Sequence, residues 1–147
     1  MRIELTGGDY GTAGVGAVLG GGFGGDSGSG EDGADADSAA WRLIAQRYAS
    51  DGFRRNSFLN RDDTNGFDET TLRGRLALPL GAAWDLDLSL LAVDLDNGYD
   101  AFALDNSRIT QSDKPGVDRQ RSLGASARAR YRGAGSFSFE SVTAWSD

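Results

Sequence analysis

From Leu72 to Leu80 the chain reads LRGRLALPL, an alternation with a period of two. Leu72, Gly74, Leu76, Leu78 and Leu80 fall on one side, and Arg73, Arg75, Ala77 and Pro79 on the other. WDLDLSL sets Trp84, Leu86, Leu88 and Leu90 against Asp85, Asp87 and Ser89, and LGASARARY sets Leu123, Ala125, Ala127, Ala129 and Tyr131 against Arg128 and Arg130. Helices repeat every 3.6 residues, so this pattern predicts β-strands with one apolar and one polar face. Gly81-Ala82-Ala83 reads as a tight hairpin turn, and the glycines near 133 read as another, leading into a strand from about Ser136. Ala40–Ser50 alternates less cleanly because Ile44 interrupts the apolar set. Arg2–Gly8 and Ala13–Leu19 make a weaker opening hairpin across Asp9-Tyr10-Gly11. The expectation is an all-β, antiparallel up-and-down meander of about seven strands.

The connectors sharpen this picture. Residues 53–68 and 97–119 read as long polar loops, whereas the connections at Gly81 and Gly133 are only a few residues long. Long loops at one end and short turns at the other are the layout of outer-membrane barrels. A soluble β-sandwich used for binding or adhesion, free or on a cell surface, is the alternative. Faces of Leu, Ala and Gly are thin for a sandwich core, where large side chains interdigitate. Trp84, Tyr131 and Trp145 fall near strand ends, where an aromatic girdle would sit. No window approaches the length of an apolar membrane helix, but a spanning strand needs only about ten residues. The opening MRIELTGGDY lacks the apolar stretch of a secretory leader.

Composition removes whole classes of chemistry. The 147 residues include no Cys and no His, so disulfides, thiolate nucleophiles, His-based triads and the usual zinc sites are excluded. Of the net charge of −7, five negative charges lie in the tract from Gly20 to Ser38, leaving −2 for the remainder. No basic patch with interleaved aromatics points to nucleic acid.

The stretch SDGFRRNSFLNRDDTNGFDETTLRGRLAL, residues 50–78, resembles the early barrel region of TonB-dependent outer-membrane receptors. There a strand enters a "DGF-RN" corner, an Asp/Asn-rich loop and then a "DE-TLRG-L" strand. DNGYDAFALDNSRITQSDKPGVDRQ, residues 96–120, resembles the next long loop, and SFSFESVTAWSD the strand after it. The resemblance implies a large antiparallel barrel, of about 22 strands around a plug. It also implies uptake of iron–siderophore complexes, haem, cobalamin or similar nutrients, energised by an inner-membrane TonB complex. Plug and TonB box are not recognisable, so the chain is expected to be the N-terminal part of such a barrel. Its partners would be outer-membrane lipid, the remaining barrel and plug, and a metal chelate or other small nutrient; no cofactor is implied.

On this reading the loop residues Tyr99, Asp100, Phe102, Asp105, Asn106 and Arg108 are the candidate substrate contacts, and Arg73, Arg75, Arg128 and Arg130 face the lumen. The lumen arginines serve either to match acids of the plug or to steer anionic chelates. Asp94, Asp96 and Asp100 fail the register of a calcium loop, and no bidentate Glu follows. Carboxylate pairs such as Asp62–Asp63 and Asp68–Glu69 point to opposite faces when on a strand, and Ser57 and Ser107 lack a base, so no enzyme is expected. The tract GGFGGD, Gly21–Asp26, fits the start of a calcium nonapeptide, but Gly28 replaces its large apolar residue and the motif occurs once. No Gly-Lys-Ser/Thr follows for a phosphate loop. Residues 20–38 therefore read as a long disordered connector on the short-turn side.

Overall fold

The computed structural model describes residues 1–23, 38–100, 103–133 and 137–147. Ten strands form in chain order: β1 (Arg2–Gly7), β2 (Ala13–Phe23), β3 (Ala39–Ser50), β4 (Arg54–Asn56), β5 (Arg61–Thr64), β6 (Phe67–Leu80), β7 (Trp84–Tyr99), β8 (Ile109–Thr110), β9 (Gly116–Arg132) and β10 (Ser138–Ser146). Seven of them make one antiparallel sheet in the order β1-β2-β3-β6-β7-β9-β10, each strand beside its neighbour in the meander. The other three form a small sheet, β5-β4-β8, at one end. The described residues contain no helix.

Turn chemistry fixes the register. Tyr10 and Gly11 both take left-handed backbone angles, φ of 59° and 65°, between β1 and β2. Consecutive left-handed residues match the twist of a hairpin. Gly81, with φ of 71°, opens the three-residue turn between β6 and β7. From that turn the pairing runs Leu80 opposite Trp84, Leu78 opposite Leu86, Leu76 opposite Leu88 and Gly74 opposite Leu90. It continues into β9 with Trp84 opposite Tyr131 and Leu86 opposite Ala129. On the other side, Leu43 and Trp41 of β3 pair with Gly74 and Leu76, and Val15, Ala17 and Leu19 of β2 pair with Arg47, Ala45 and Leu43. Since partners in a ladder share a face, the apolar sets of all these strands merge into one continuous surface. Ile44 lies on the opposite face, paired with Val18 and Arg73, which accounts for the irregular alternation of β3.

No described residue covers that surface. Among the described residues no hydrophobic side chain is buried; the buried side chains are the polar Asn56, Thr64, Asp100 and Thr110. Leu43, Leu72, Leu90, Leu123 and Trp145 are each between two-fifths and three-fifths exposed. The apolar surface has chemically distinct borders. At the turn end Phe23 packs on Trp41 and Trp84 on Tyr131, ring centroids 6.4 and 4.9 Å apart. At the other end, still on the same face by parity, come Arg47–Asp68, Arg121–Asp94 and Arg119–Asp96 ion pairs at 2.8, 3.1 and 2.8 Å. Trp145, opposite Ala125, sits toward this second border.

Three sequence-based boundaries change. Strand pairing carries β2 through Gly20–Phe23, opposite Arg42 to Ala39, so the connector expected at 20–38 begins later; its remainder, 24–37, lies outside the described residues. The loops expected at 53–68 and 97–119 are not structureless, because they hold β4, β5 and β8, and β6, β7 and β9 extend into them. The missed strands are two to four residues long with no periodicity of their own, and they form only by pairing with one another.

The corner after β3 depends on close backbone approach. Gly52 has φ of 111°, and a Cβ there would overlap the carbonyl of Thr64. At Gly66 an added Cβ would stand 2.7 Å from the carbonyl oxygens of Ser50 and Asp51. Gly52→Ala is therefore expected to cost about 2 kcal/mol locally. Hydrogen exchange should show faster exchange at the amides of Arg55 and Ser57, with the β6–β7 ladder unchanged.

Candidate functional site

The two long connections meet in a single polar platform. β4 runs antiparallel to β5 and parallel to β8, so residues more than fifty positions apart in the chain share a ladder. The amide of Arg55 donates to the Arg108 carbonyl (3.0 Å) and that of Ser57 to the Thr110 carbonyl (2.9 Å). Beneath this ladder lies a buried side-chain network. The Asp100 carboxylate, 1% exposed, accepts hydrogen bonds from the hydroxyls of Thr110 and Ser112 and from Asn56 Nδ2 (3.3 Å). Asn56, fully buried, also donates to the Ser112 carbonyl (2.8 Å) and accepts from the Leu59 amide (2.9 Å). The Asp100 amide donates to Asn65 Oδ1 (3.3 Å). A buried carboxylate is tolerated only with such donors around it.

The platform is tied to the rest of the sheet at the same end. Arg108 donates to the Tyr10 hydroxyl (2.9 Å) in the first hairpin turn, and the Asp51 amide donates to the Tyr10 carbonyl (2.9 Å). Tyr10 and Phe53 make an edge contact at 6.5 Å, and the Arg54 guanidinium lies 5.4 Å from the Phe53 ring centre. Asn97 bridges β7 to β6, accepting from the Asp68 amide (3.1 Å) and donating to Glu69 (2.8 Å). A concavity of about 390 Å³ opens at the base, lined by Arg61, Asp63, Asp68, Asp96, Tyr99 and Val117 among others.

The six loop candidates separate. Tyr99, half exposed at the end of β7, lines that concavity. Asp100 does not lie at the surface: its carboxylate holds the two loops together and is closed to a solute while they remain paired. Asp105, Asn106 and Arg108 are exposed, with Asn106 in a left-handed turn (φ 55°). The Ser107 amide (3.0 Å) and hydroxyl hold the Asp105 carboxyl below its ordinary range. Phe102 lies outside the described residues. Asp94 and Asp96, two members of the weak calcium pattern, are engaged by Arg121 and Arg119 on the opposite face from Asn97.

Arg61 and Asp63, which the sequence offers as part of a mixed-charge loop cluster with Arg54, Arg55 and Asp62, line the concavity as a paired couple (2.8 Å); hydrogen bonding to Arg61 lowers the Asp63 carboxyl. Asn56, Thr110 and Ser112 carry no periodic or motif signal beyond the Asn of the "DGF-RN" corner. Their role arises from a contact between distant loops.

The four arginines assigned to the polar face all lie there. Arg73 and Arg75 alternate with Leu72, Gly74 and Leu76, and Arg128 and Arg130 stand opposite Asp87 and Asp85. Arg128 and Arg130 share the Glu140 carboxylate, at 3.3 Å each, and Arg132 pairs with Asp85. No family model matches the chain, and no curated protein or solved structure matches it.

Asp100→Ala removes the common acceptor of Thr110, Ser112 and Asn56, leaving the Ser112 hydroxyl without it, Thr110 with only the longer contact to the Arg55 carbonyl, and Asn56 with Ser112 alone as acceptor. It is expected to cost about 3 kcal/mol of platform stability. Limited proteolysis between residues 103 and 115 should accelerate at least tenfold, while the β6–β7 hairpin stays intact. The depressed carboxyls of Asp63 and Asp105 add loop order that is present above the unfolded pKa. It is lost as pH falls through the lower folded pKa. Carboxyl carbon NMR should place both titrations below those of an unfolded peptide of the same sequence.

Proposed function

We propose that this chain is part of the wall of an outer-membrane β-barrel that takes up a small nutrient. It would be a receptor of the TonB-dependent kind, with an iron–siderophore complex or a similar chelate as cargo. The observation that carries the reading is the continuous apolar face of a one-layer sheet over which the described chain places nothing. A water-soluble domain covers such a face with a second layer; a barrel wall leaves it to lipid.

The dimensions and borders support this. Leu72–Leu80, Trp84–Ala92 and Leu123–Tyr131 each extend for eight residue steps, roughly 27 Å along a strand. Tilted by about 40°, that covers roughly 21 Å of membrane normal, close to the apolar band of such barrels. Aromatic rings at the turn end and long arginines at the loop end occupy the two positions where amphipathic side chains meet an interface. Among the described residues the edge strands β1 and β10 leave one side of their backbones unpaired, which lipid does not tolerate. Further strands of the same barrel would pair with them.

In this arrangement the polar platform faces the exterior and presents Tyr99, Asp105, Asn106 and Arg108 to a solute. The face bearing Arg73, Arg75, Arg128 and Arg130 lines the interior, along which the cargo moves. A plug and an energy-supplying inner-membrane complex are the partners that this reading requires.

The test is what covers the apolar face. In micelles of a brominated detergent, the chain is expected as a detergent-bound monomer with Trp84 and Trp145 emission quenched. Leu88→Glu should reduce detergent binding several-fold. With two open edges it should give no heat-modifiable, protease-resistant band. A detergent-free, monodisperse dimer with unquenched tryptophans would instead mean that two copies cover each other as a soluble sandwich, and the uptake reading would fall.

A further inference from the structure

The ion pairs are unevenly distributed. Arg2, Arg47, Arg55, Arg61, Arg119, Arg121, Arg128, Arg130 and Arg132 each have a carboxylate within 3.3 Å. Arg108 meets the Tyr10 hydroxyl and Arg54 lies over the Phe53 ring. Among the described residues Arg42, Arg73 and Arg75 form no ion pair, and the three are neighbours on one face. Arg42 of β3 stands directly opposite Arg75 of β6, and Arg73 is two residues along β6 on the same side.

Like charges directly opposite each other weaken a sheet, so this placement opposes folding unless something negative compensates it. The ladder supplies nothing: the positions facing this group are Gly20 opposite Arg42, Ser89 opposite Arg75, and Ile44 and Leu91 on either side of Arg73. The nearest acid along β7, Asp87, stands opposite Ala77, two positions beyond Arg75's partner. All three arginines are exposed, and glycine and serine beside them leave the guanidinium groups room to converge. Cross-strand Cβ atoms lie about 5 Å apart, and alternate residues of one strand about 7 Å apart. Three cations on a triangle of that size match an anion carrying several charged oxygens, since guanidinium forks bind carboxylate and phosphate in pairs.

We propose that Arg42, Arg73 and Arg75 form a binding site for a multiply charged oxyanion, of the carboxylate or phosphate kind, and that the cargo or its chelating part belongs to this class. The assignment of the cargo rests on the uptake reading above; the site itself does not. A solute, rather than an acidic protein segment, is the occupant argued here, because three charges within one small triangle fit one compact polyanion.

The test uses the full chain in neutral detergent micelles, with citrate as the probe and acetate at matched ionic strength as the monovalent control. Calorimetry reports binding to a preformed sheet, and β-sheet circular dichroism reports ordering by the anion, so binding is read in either case. Wild type is expected to bind citrate at least tenfold more tightly than acetate. Arg73→Gln/Arg75→Gln should weaken citrate at least tenfold, Arg42→Gln by several-fold, and Arg121→Gln on the other face by less than twofold. No citrate signal in either readout, or a double variant that binds like wild type, would overturn the site. An acidic segment of the remaining protein would then be the counter-charge. Micelle association without citrate binding removes this inference alone. Citrate binding by a detergent-free dimer removes the uptake reading and leaves the site standing.

Discussion

Every large feature of this sheet depends on the pleat placing successive side chains on opposite faces, with the larger share of the apolar ones sent the same way and Val18, Ile44, Leu91, Val93, Leu95 and Val142 on the arginine face. Seven strands obey that rule in one register, and the described residues supply no layer to put against the result. Backbone ladders hold the sheet together, but the gain from removing apolar surface from water, about 25 cal/mol per Å², is left to the surroundings. A one-layer sheet of this kind is stable only where its environment is itself apolar or where another sheet covers it. The aromatic pairs at one border and the arginine–aspartate pairs at the other mark where such an environment would begin and end.

Burial follows the opposite logic from a water-soluble domain. Among the described residues the side chains hidden from solvent are Asn56, Thr64, Asp100 and Thr110, and they lie in the long loops. Loop backbone cannot be buried without partners. Here one carboxylate and one carboxamide, 44 positions apart, supply the acceptors and donors that let two connections fold as a single unit. The platform is thereby ordered without an apolar core. Its exposed rim is available for recognition while Asn56, Asp100 and Thr110 inside it are committed to hydrogen bonding.

Charge is spent unevenly across the polar face. On β7, β9 and β10 the arginines are matched by Asp85 and Glu140; on β3 and β6 they stand against one another. Surface ion pairs contribute little individually, so the matched pairs are a modest stabilising term. The unmatched triangle is the informative feature, because functional sites are where a sheet keeps arrangements that stability alone would remove.

The amino-acid sequence by itself determined the strands of the main sheet, their two faces and their meander order. Period-two alternation and tight turns are local signals, and short connections leave adjacent strands little choice of partner. The same alternation placed Arg73, Arg75, Arg128 and Arg130 opposite the leucines. Tertiary structure alone decided the loop platform. β4, β5 and β8 exist because residues from two distant loops pair, and Asp100 reads as a surface aspartate until Thr110, Ser112 and Asn56 surround it. It alone also brought Arg42 against Arg75, since the β3–β6 register is set across the whole platform loop rather than by a turn. Periodicity fixes where a side chain points; only the long-range register fixes what it meets.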